Sequence, residues 1–296
     1  YIYSRGYYFR SSESSGPSEP VMVRSYTSRP SERATVRPRI VKRSAGVSCC
    51  RYNVARRCYE VLLVKKRCTY SYVSFVLGYY NKRGDDKRIR SLFSGMTHSE
   101  KVNIMSMKYE NMWWRVMMYY PDYANINAPR VPKSDMVTYN KKKSKFESVF
   151  LGDGGAGLRS IMNGTHNAGL MWEIPKGRKC SNEMTMDCAI REFKEETNMR
   201  SSRYTLLTTI DPSTESYINM GITYVNKYYM AHTDMQNHPR INFTTNHQVS
   251  EIADIRWMNT ADVRVVDPVG RLSRQIKKIL ARYRGYIKSH PRPGAI

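Results

Sequence analysis

The sequence predicts an α/β fold interrupted by a mostly helical insertion. Three observations carry that expectation. Two β-type runs, residues 45–51 and 59–65, are joined by a polar link and read as a hairpin. Between residues 96 and 119, apolar side chains step by three and four, the period of a helix. Residues 170–174 then read as a strand, Pro175-Lys176-Gly177 as a turn, and the stretch to Met199 as a loop and a helix.

Residues 1–38 come first, rich in Ser, Arg, Tyr and Pro and without apolar periodicity. They read as a flexible basic tail, solvated by default, whose interleaved Arg and Tyr are of the kind that touches RNA. Two strand-bearing pieces, 39–70 and 157–296, flank a middle stretch, 71–156, that carries the helical periodicity and is treated as an insertion between them. Residues 36–70 hold ten Lys or Arg and a single acid, Glu60. A strand pair can carry such charge on a solvent face or at a binding surface.

Within the insertion, Thr97 and Glu100 have the spacing of a capping box and open a helix. Val102, Met105, Tyr109, Met112, Val116 and Tyr119 form its apolar stripe and predict the insertion's own core. Trp113 and Trp114 are expected to pack beside it, and Pro121 to end it. A second helix is expected at 144–149, with Lys141, Lys142, Lys143 and Lys145 leading into it. That cluster has no apolar neighbours to bury it, so it reads as a solvated loop or as a contact for RNA phosphates. The glycine-rich 152–157 lacks a following Gly-Lys-Ser/Thr and is therefore no phosphate loop of that type. It reads as a hinge or loop returning the chain to the core.

Residues 177–199, GRKCSNEMTMDCAIREFKEETNM, are the organising stretch. Glu192, Glu195 and Glu196 lie at i, i+3 and i+4 and share one helix face. Three like charges there are unfavourable without a cation over them, and Mg²⁺ or Mn²⁺ suits oxygen donors. Strands at 204–210 and 222–231 should follow, then a late strand at 251–257 and a short turn at 259–262. Leu272, Ile276, Ile279, Leu280 and Tyr283 predict a closing amphipathic helix. Arg274, Lys277, Lys278, Arg282 and Arg284 form its outer face, solvated or in contact with RNA.

The chain has 296 residues and a net charge of +24, which points to a polyanionic partner. Nucleic acid is the first candidate; a highly phosphorylated small molecule and an anionic membrane are the others. No run approaches the ~18 apolar residues of a membrane span, and the opening residues lack the pattern of a secretory signal. The six cysteines form no CxxC pair and read as reduced thiols in a cytosolic setting.

The spacing of Gly177, Glu183, Arg191, Glu192, Phe193, Glu195, Glu196 and Met199 resembles the Nudix box, G-x5-E-x7-R-E-U-x-E-E-x-G-U, with U apolar. One position departs: Asn198 stands where the pattern has Gly. Asn is the best substitute in a left-handed cap, so little damage is expected. The resemblance implies a Nudix α/β/α sandwich with a mostly helical insertion before the box, and on that ground the middle stretch, 71–156, is the insertion. It further implies that Glu192, Glu195 and Glu196, with the Gly177 carbonyl, hold Mg²⁺ or Mn²⁺. Glu183 and Arg191 would brace the loop against the helix, and Glu251 would be a further catalytic glutamate. Lys176 would meet substrate phosphate.

The stretches FVLGYYNKRG, MTHSEK, KYENMWWRVMMYYP and MWEIPKG sharpen the likeness. Over about residues 40–286 the chain resembles the viral mRNA-decapping branch of the family, the enzymes of African swine fever virus and the giant viruses. That implies removal of the 5′ cap of mRNA in the host cytoplasm, releasing 7-methylguanosine diphosphate and 5′-monophosphate RNA. The alternative is a pyrophosphohydrolase acting on inositol pyrophosphates or dinucleotides. A catalytically silent RNA-binding module is the third reading, disfavoured because every box carboxylate is present.

Overall fold

The computed structural model describes residues 40–80, 86–106, 108–117, 131, 133–166, 171–219, 222–236, 238–242, 246–267 and 270–290. The tail 1–38, Tyr119, Pro121 and Leu170 lie outside them.

β1 (Val41–Asn53) and β2 (Cys58–Lys66) form the expected antiparallel hairpin. Side chains alternate across a strand, and here both faces are covered. Val61 and Leu63 pack on one side, Leu62 and Val64 on the other. This is why 59–65 reads as a continuous apolar run. One charge in the hairpin departs from the expected surface placement. Arg51 is buried opposite Glu60, with a 2.7 Å contact between them and its guanidinium 4.5 Å from the centre of the Trp257 ring. The pairing satisfies both groups, which is the condition for burying either.

Six helices follow: α1 (Tyr70–Val76), α2 (Asp86–Ser94), α3 (His98–Ser106), α4 (Tyr109–Met117), α5 (Met136–Phe150) and α6 (Ala156–Asn163). They enclose their own core around Tyr72, Phe75, Phe93, Met112, Trp113 and Phe146. The capping box is formed, with Thr97 N–H donating to Glu100 and Glu100 N–H to Thr97 Oγ1. The single stripe expected over 96–119 is instead split between α3 and α4. The restart rotates the apolar face, so Ile104 is buried and Val102 is 45% exposed. Trp113 and Trp114 are both buried and pack as expected.

The second helix begins at Met136 rather than 144. Tyr139, Phe146 and Phe150 give it a buried stripe, and lysine is a good helix former, so the charge run continues the helix instead of preceding it. The glycine-rich stretch is a turn, as expected, but its destination differs. It joins α5 to α6, whose Leu158 lies in the insertion core, and does not return the chain to the sheet. We therefore take the insertion to reach the end of α6.

The remaining elements are β3 (Trp172–Glu173), β4 (Lys176–Arg178), α7 (Thr185–Thr197), β5 (Thr205–Leu206), β6 (Ser213–Asn219), β7 (Ile222–His232), α8 (Asn246–Glu251), β8 (Ile252–Met258), α9 (Thr260–Val266) and α10 (Arg271–Ser289). The sheet order is β3-β2-β1-β7-β5, with β4 also on β1, β6 on β7 and β8 on β2. β1 and β7 run parallel from Val41 opposite Thr223 to Cys50 opposite His232. On one face Leu272, Ile276, Ile279, Leu280 and Tyr283 of α10 cover Cys50, Val61 and Leu63. On the other, Cys188, Ala189 and Phe193 of α7 cover Ala45, Val47 and Cys49. The result is the α/β/α sandwich.

Strand 204–210 shortens to two residues, and the edge strand β6 is an addition whose mixed polar composition concealed it. Residues 259–262 begin α9 rather than a turn. Asn259 caps it, accepting from Ala261 N–H and Asp262 N–H, and Asp262 returns the bond to Asn259 N–H. All six cysteines are free thiols. No helix among the described residues is long and apolar enough to cross a membrane.

Candidate active site

The site is built where residues 175–178 run beside β1 and against α7. The loop comes very close: an ideal Cβ at Gly46 would lie 2.1 Å from the Pro175 carbonyl oxygen. β4 then pairs with β1, Gly46 opposite Lys176 and Ala45 opposite Gly177. α7 turns Cys188, Ala189 and Phe193 to the sheet and its acidic face to the loop. It ends where Asn198 adopts φ 56° and donates its N–H to Lys194 O at 2.9 Å, the left-handed cap expected of that residue.

Two cations organise the carboxylates. Arg191 grips Glu183 through both ends of its fork, Nε to Oε1 at 2.7 Å and Nη2 to Oε2 at 3.0 Å. Its Nη1 also donates to Glu192 at 2.6 Å and Glu195 at 3.0 Å, and Nη2 to the Arg178 carbonyl. The Arg191 bond holds the Glu183 carboxyl down at about 2. Glu183 also accepts from Cys180 N–H, so the pair ties loop to helix.

The second cation is Lys66, at the end of β2. Its ammonium donates to Glu196 Oε1 and lies 3.3 Å from Glu251 and 3.6 Å from Glu173. Glu196 is 4% exposed; its other oxygen accepts from Lys176 N–H at 3.0 Å. Burial pushes the Glu196 carboxyl up to about 7, against the pull of Lys66 and with the help of Glu173 and Glu251. Burial likewise raises Glu192, opposed by Arg191 and reinforced by Glu195 and Glu251. Glu251, the last residue of α8, is thus brought into the cluster. α8 is itself fastened to α7 by Gln248, which donates to the Glu196 carbonyl at 2.9 Å.

The donor set is entirely oxygen, which suits a hard divalent ion. Glu192 Oε2 and Glu195 Oε1 accept no hydrogen bond among the described residues. Gly177 has no room for a side chain, so its backbone faces the Glu192 carboxylate directly. As they stand, no three acidic, histidine or cysteine side chains among the described residues converge tightly enough to grip an ion. Lys66 and Arg191 are bound to these carboxylates. The residues fit a divalent ion in kind, with these cations as its competitors.

Lys176 is pinned by Glu173 at 2.5 Å, and its ammonium lies 5.7 Å from the centre of the Tyr70 ring. A cavity of about 180 Å³ adjoins this group, lined by Lys66, Tyr70 and Glu173 with Ser71 and Gly95 of the insertion. The insertion therefore walls the site. Its lysines are held elsewhere. Lys142 lies over Tyr79, Lys145 over Tyr80 with a bond to the Gly78 carbonyl, and Lys143 pairs with Glu110 at 2.5 Å. The expected absence of apolar neighbours does not hold for these three. Lys141 is exposed on the same helix.

Sequence reasoning missed Lys66 and Glu173. Lys66 was hidden in a charge run, Lys65-Lys66-Arg67, and the signal that separates it is a register shift between Lys65 and Lys66 visible only in the pairing of β2 with β8. Glu173 sits between Trp172 and Ile174 in a strand too short to show alternation.

Residues 148–283 match the NUDIX domain family. The chain is 28% identical over 257 residues to an mRNA-decapping protein g5R of African swine fever virus, covering 85% of this chain and 98% of that one. It is 26% identical over 217 residues to a putative mRNA-decapping protein of Acanthamoeba polyphaga mimivirus, covering 66% of this chain and 57% of that one. Among solved structures, a C. elegans Ap4A hydrolase is 14% identical with a TM-score of 0.39, over 84% of this chain and 98% of that one.

Proposed function

We propose that this chain, a Nudix hydrolase of phosphoanhydride bonds, removes the 5′ cap of mRNA in the cytoplasm of an infected host cell. The reaction consumes one water: it adds to phosphorus, one phosphoanhydride bond breaks, and 7-methylguanosine diphosphate and 5′-monophosphate RNA leave. The observation that carries the reading is the extent of the match. It runs across the insertion as well as the box and takes in nearly the whole of a viral mRNA-decapping protein. The net charge of +24 supports a long polyanion as substrate.

Glu192, Glu195 and Glu196, with the Gly177 carbonyl, are the residues that would hold Mg²⁺ or Mn²⁺. Bound there, the ion supplies positive charge to phosphate oxygens and acidity to water. The protein's own part is positioning. Arg191 and Glu183 fix the loop against the helix, and Glu192 is set against Gly177. Glu196 is buried and held in place by Lys66 Nζ on one oxygen and Lys176 N–H on the other. Lys66 lines the cavity where a diphosphate would lie, and Lys176 is paired with Glu173 on its wall.

The test is to incubate the protein and Mg²⁺ or Mn²⁺ with cap-labelled RNA of about 30 nucleotides, long enough to span several phosphate contacts. Chromatography should find 7-methylguanosine diphosphate. A cap dinucleotide and an inositol pyrophosphate serve as competing substrates. Equal or faster cleavage of either small substrate would replace decapping with small-molecule hydrolysis.

A further inference from the structure

We propose that Lys66 is a built-in competitor for the divalent ion, holding the acidic cluster together without metal and weakening metal affinity at Glu196. The inference rests on the reading of this cluster as the metal site. The register shift between Lys65 and Lys66 turns the end of β2 out of regular pairing with β8. Such irregularities re-aim a side chain. Here the ammonium is aimed among three carboxylates from three different elements: Glu196 of α7, Glu251 at the end of α8 and Glu173 of β3. Lys66 and Glu196 are nearly buried, their side chains 13% and 4% exposed.

Each Glu196 oxygen already has a donor, Lys66 Nζ on one and Lys176 N–H on the other. A divalent ion taking the first oxygen must share it with an ammonium or move the ammonium aside. Two cations on one oxygen in a nearly dry site repel strongly, so displacement is the cheaper course. Glu173 and Glu251 give the ammonium somewhere to go, since both lie within 3.6 Å of it already. Lys66 thus does in the metal-free protein what the ion does in the loaded one. Without either, three carboxylates would face one another.

The experiment is a Mn²⁺ titration of the full chain, with free ion read by electron paramagnetic resonance. It compares wild type, Lys66→Met, Lys66→Arg, Glu196→Gln and the Lys66→Met/Glu196→Gln double variant. Lys66→Met should bind Mn²⁺ roughly tenfold more tightly or better, and Lys66→Arg should stay within about threefold of wild type. The gain should vanish in the Glu196→Gln background. Thermal melting gives an independent readout. Lys66→Met should melt lower than wild type without metal and gain more from added Mn²⁺. Lys66→Gln supplies the same comparison where the Met variant does not fold. Equal or weaker Mn²⁺ binding by Lys66→Met, or a gain that survives Glu196→Gln, would overturn the inference while leaving the metal site intact. Absence of Mn²⁺ binding by wild type and Lys66→Met alike would overturn the metal site, and this inference with it.

Discussion

Gly177 and Glu192 face each other so closely that an ideal Cβ on Gly177 would lie 1.9 Å from the Glu192 carboxylate. The loop before α7 and the acidic face of α7 are thereby set in one arrangement. Gly177→Ala should push Glu192 away by an ångström or so. A shift of ~1 Å in a catalytic group costs on the order of 10²-fold in rate. Glu192 is largely buried and bonded to Arg191, so its displacement should also cost about 1 kcal/mol or more of stability. Steady-state kinetics beside a melting curve checks both halves. Unchanged kcat with lowered Tm would mean that Gly177 serves packing alone.

Glu195 is the most exposed of the three box carboxylates, its side chain 33% accessible, and among the described residues it pairs only with Arg191. Glu195→Gln keeps the shape and removes the charge. Folding should be little affected, and kcat at saturating substrate should fall by about 10²–10³-fold, the scale for losing one electrostatic contributor to a transition state. RNA affinity should hold. Wild-type turnover in this variant and in Glu196→Gln would remove both residues from the chemistry.

Asn198 has φ 56°, a conformation that glycine adopts freely, asparagine tolerates and β-branched residues resist. Asn198→Gly should be neutral or slightly stabilising, and Asn198→Val should cost about 1 kcal/mol. Chemical denaturation of the two variants distinguishes them, and equal midpoints would contradict the cap geometry.

Asp262 closes the capping box of α9 with Asn259 and takes a two-pronged bond from Arg56 at 2.8 and 2.9 Å. The Arg56 bond, foremost, holds its carboxyl below the ordinary value. A carboxyl depressed in the folded state adds stability that is complete above its unfolded value, about 3.9, and disappears as pH falls through the folded value. The stability gap between wild type and Asp262→Asn should therefore be constant from pH 5 to 8 and close below about pH 4. Urea unfolding from pH 8 downward is the measurement, and a gap that does not narrow at all below pH 4 would assign it to packing.

Lys141, Lys142, Lys143 and Lys145 are proposed to meet RNA phosphates from α5. Changing all four to Ala should flatten the log–log salt dependence of capped-RNA binding by about two to three units. It should also lower the melting temperature, since Lys142, Lys143 and Lys145 have partners inside the insertion. Changing all four to Arg keeps the charge and should preserve the salt slope. A slope unmoved by the Ala variant would leave these lysines with a structural role alone.

Much of the fold was legible in the residues. The hairpin, the capping box at Thr97 and Glu100, the box helix with its Asn198 cap, the late strand and the closing helix all follow from short-range rules. Periodicity and capping chemistry act over a few residues and leave their mark there. The acidic face of Glu192, Glu195 and Glu196 was fixed in the same way, by helical spacing alone. Which charges meet across the fold was decided by the tertiary structure. Lys66 lies 130 positions from Glu196, and no local pattern separates it from Lys65 beside it. Only the shifted pairing of β2 with β8 sends one lysine to the carboxylates. The same holds for Arg51, buried against Glu60 in a segment whose composition reads as a charged surface. It holds again for the α5 lysines, which a local reading leaves in solvent and the packed insertion sets over tyrosines. A charge is defined by what surrounds it, and burial and partners come from elements far apart in the chain.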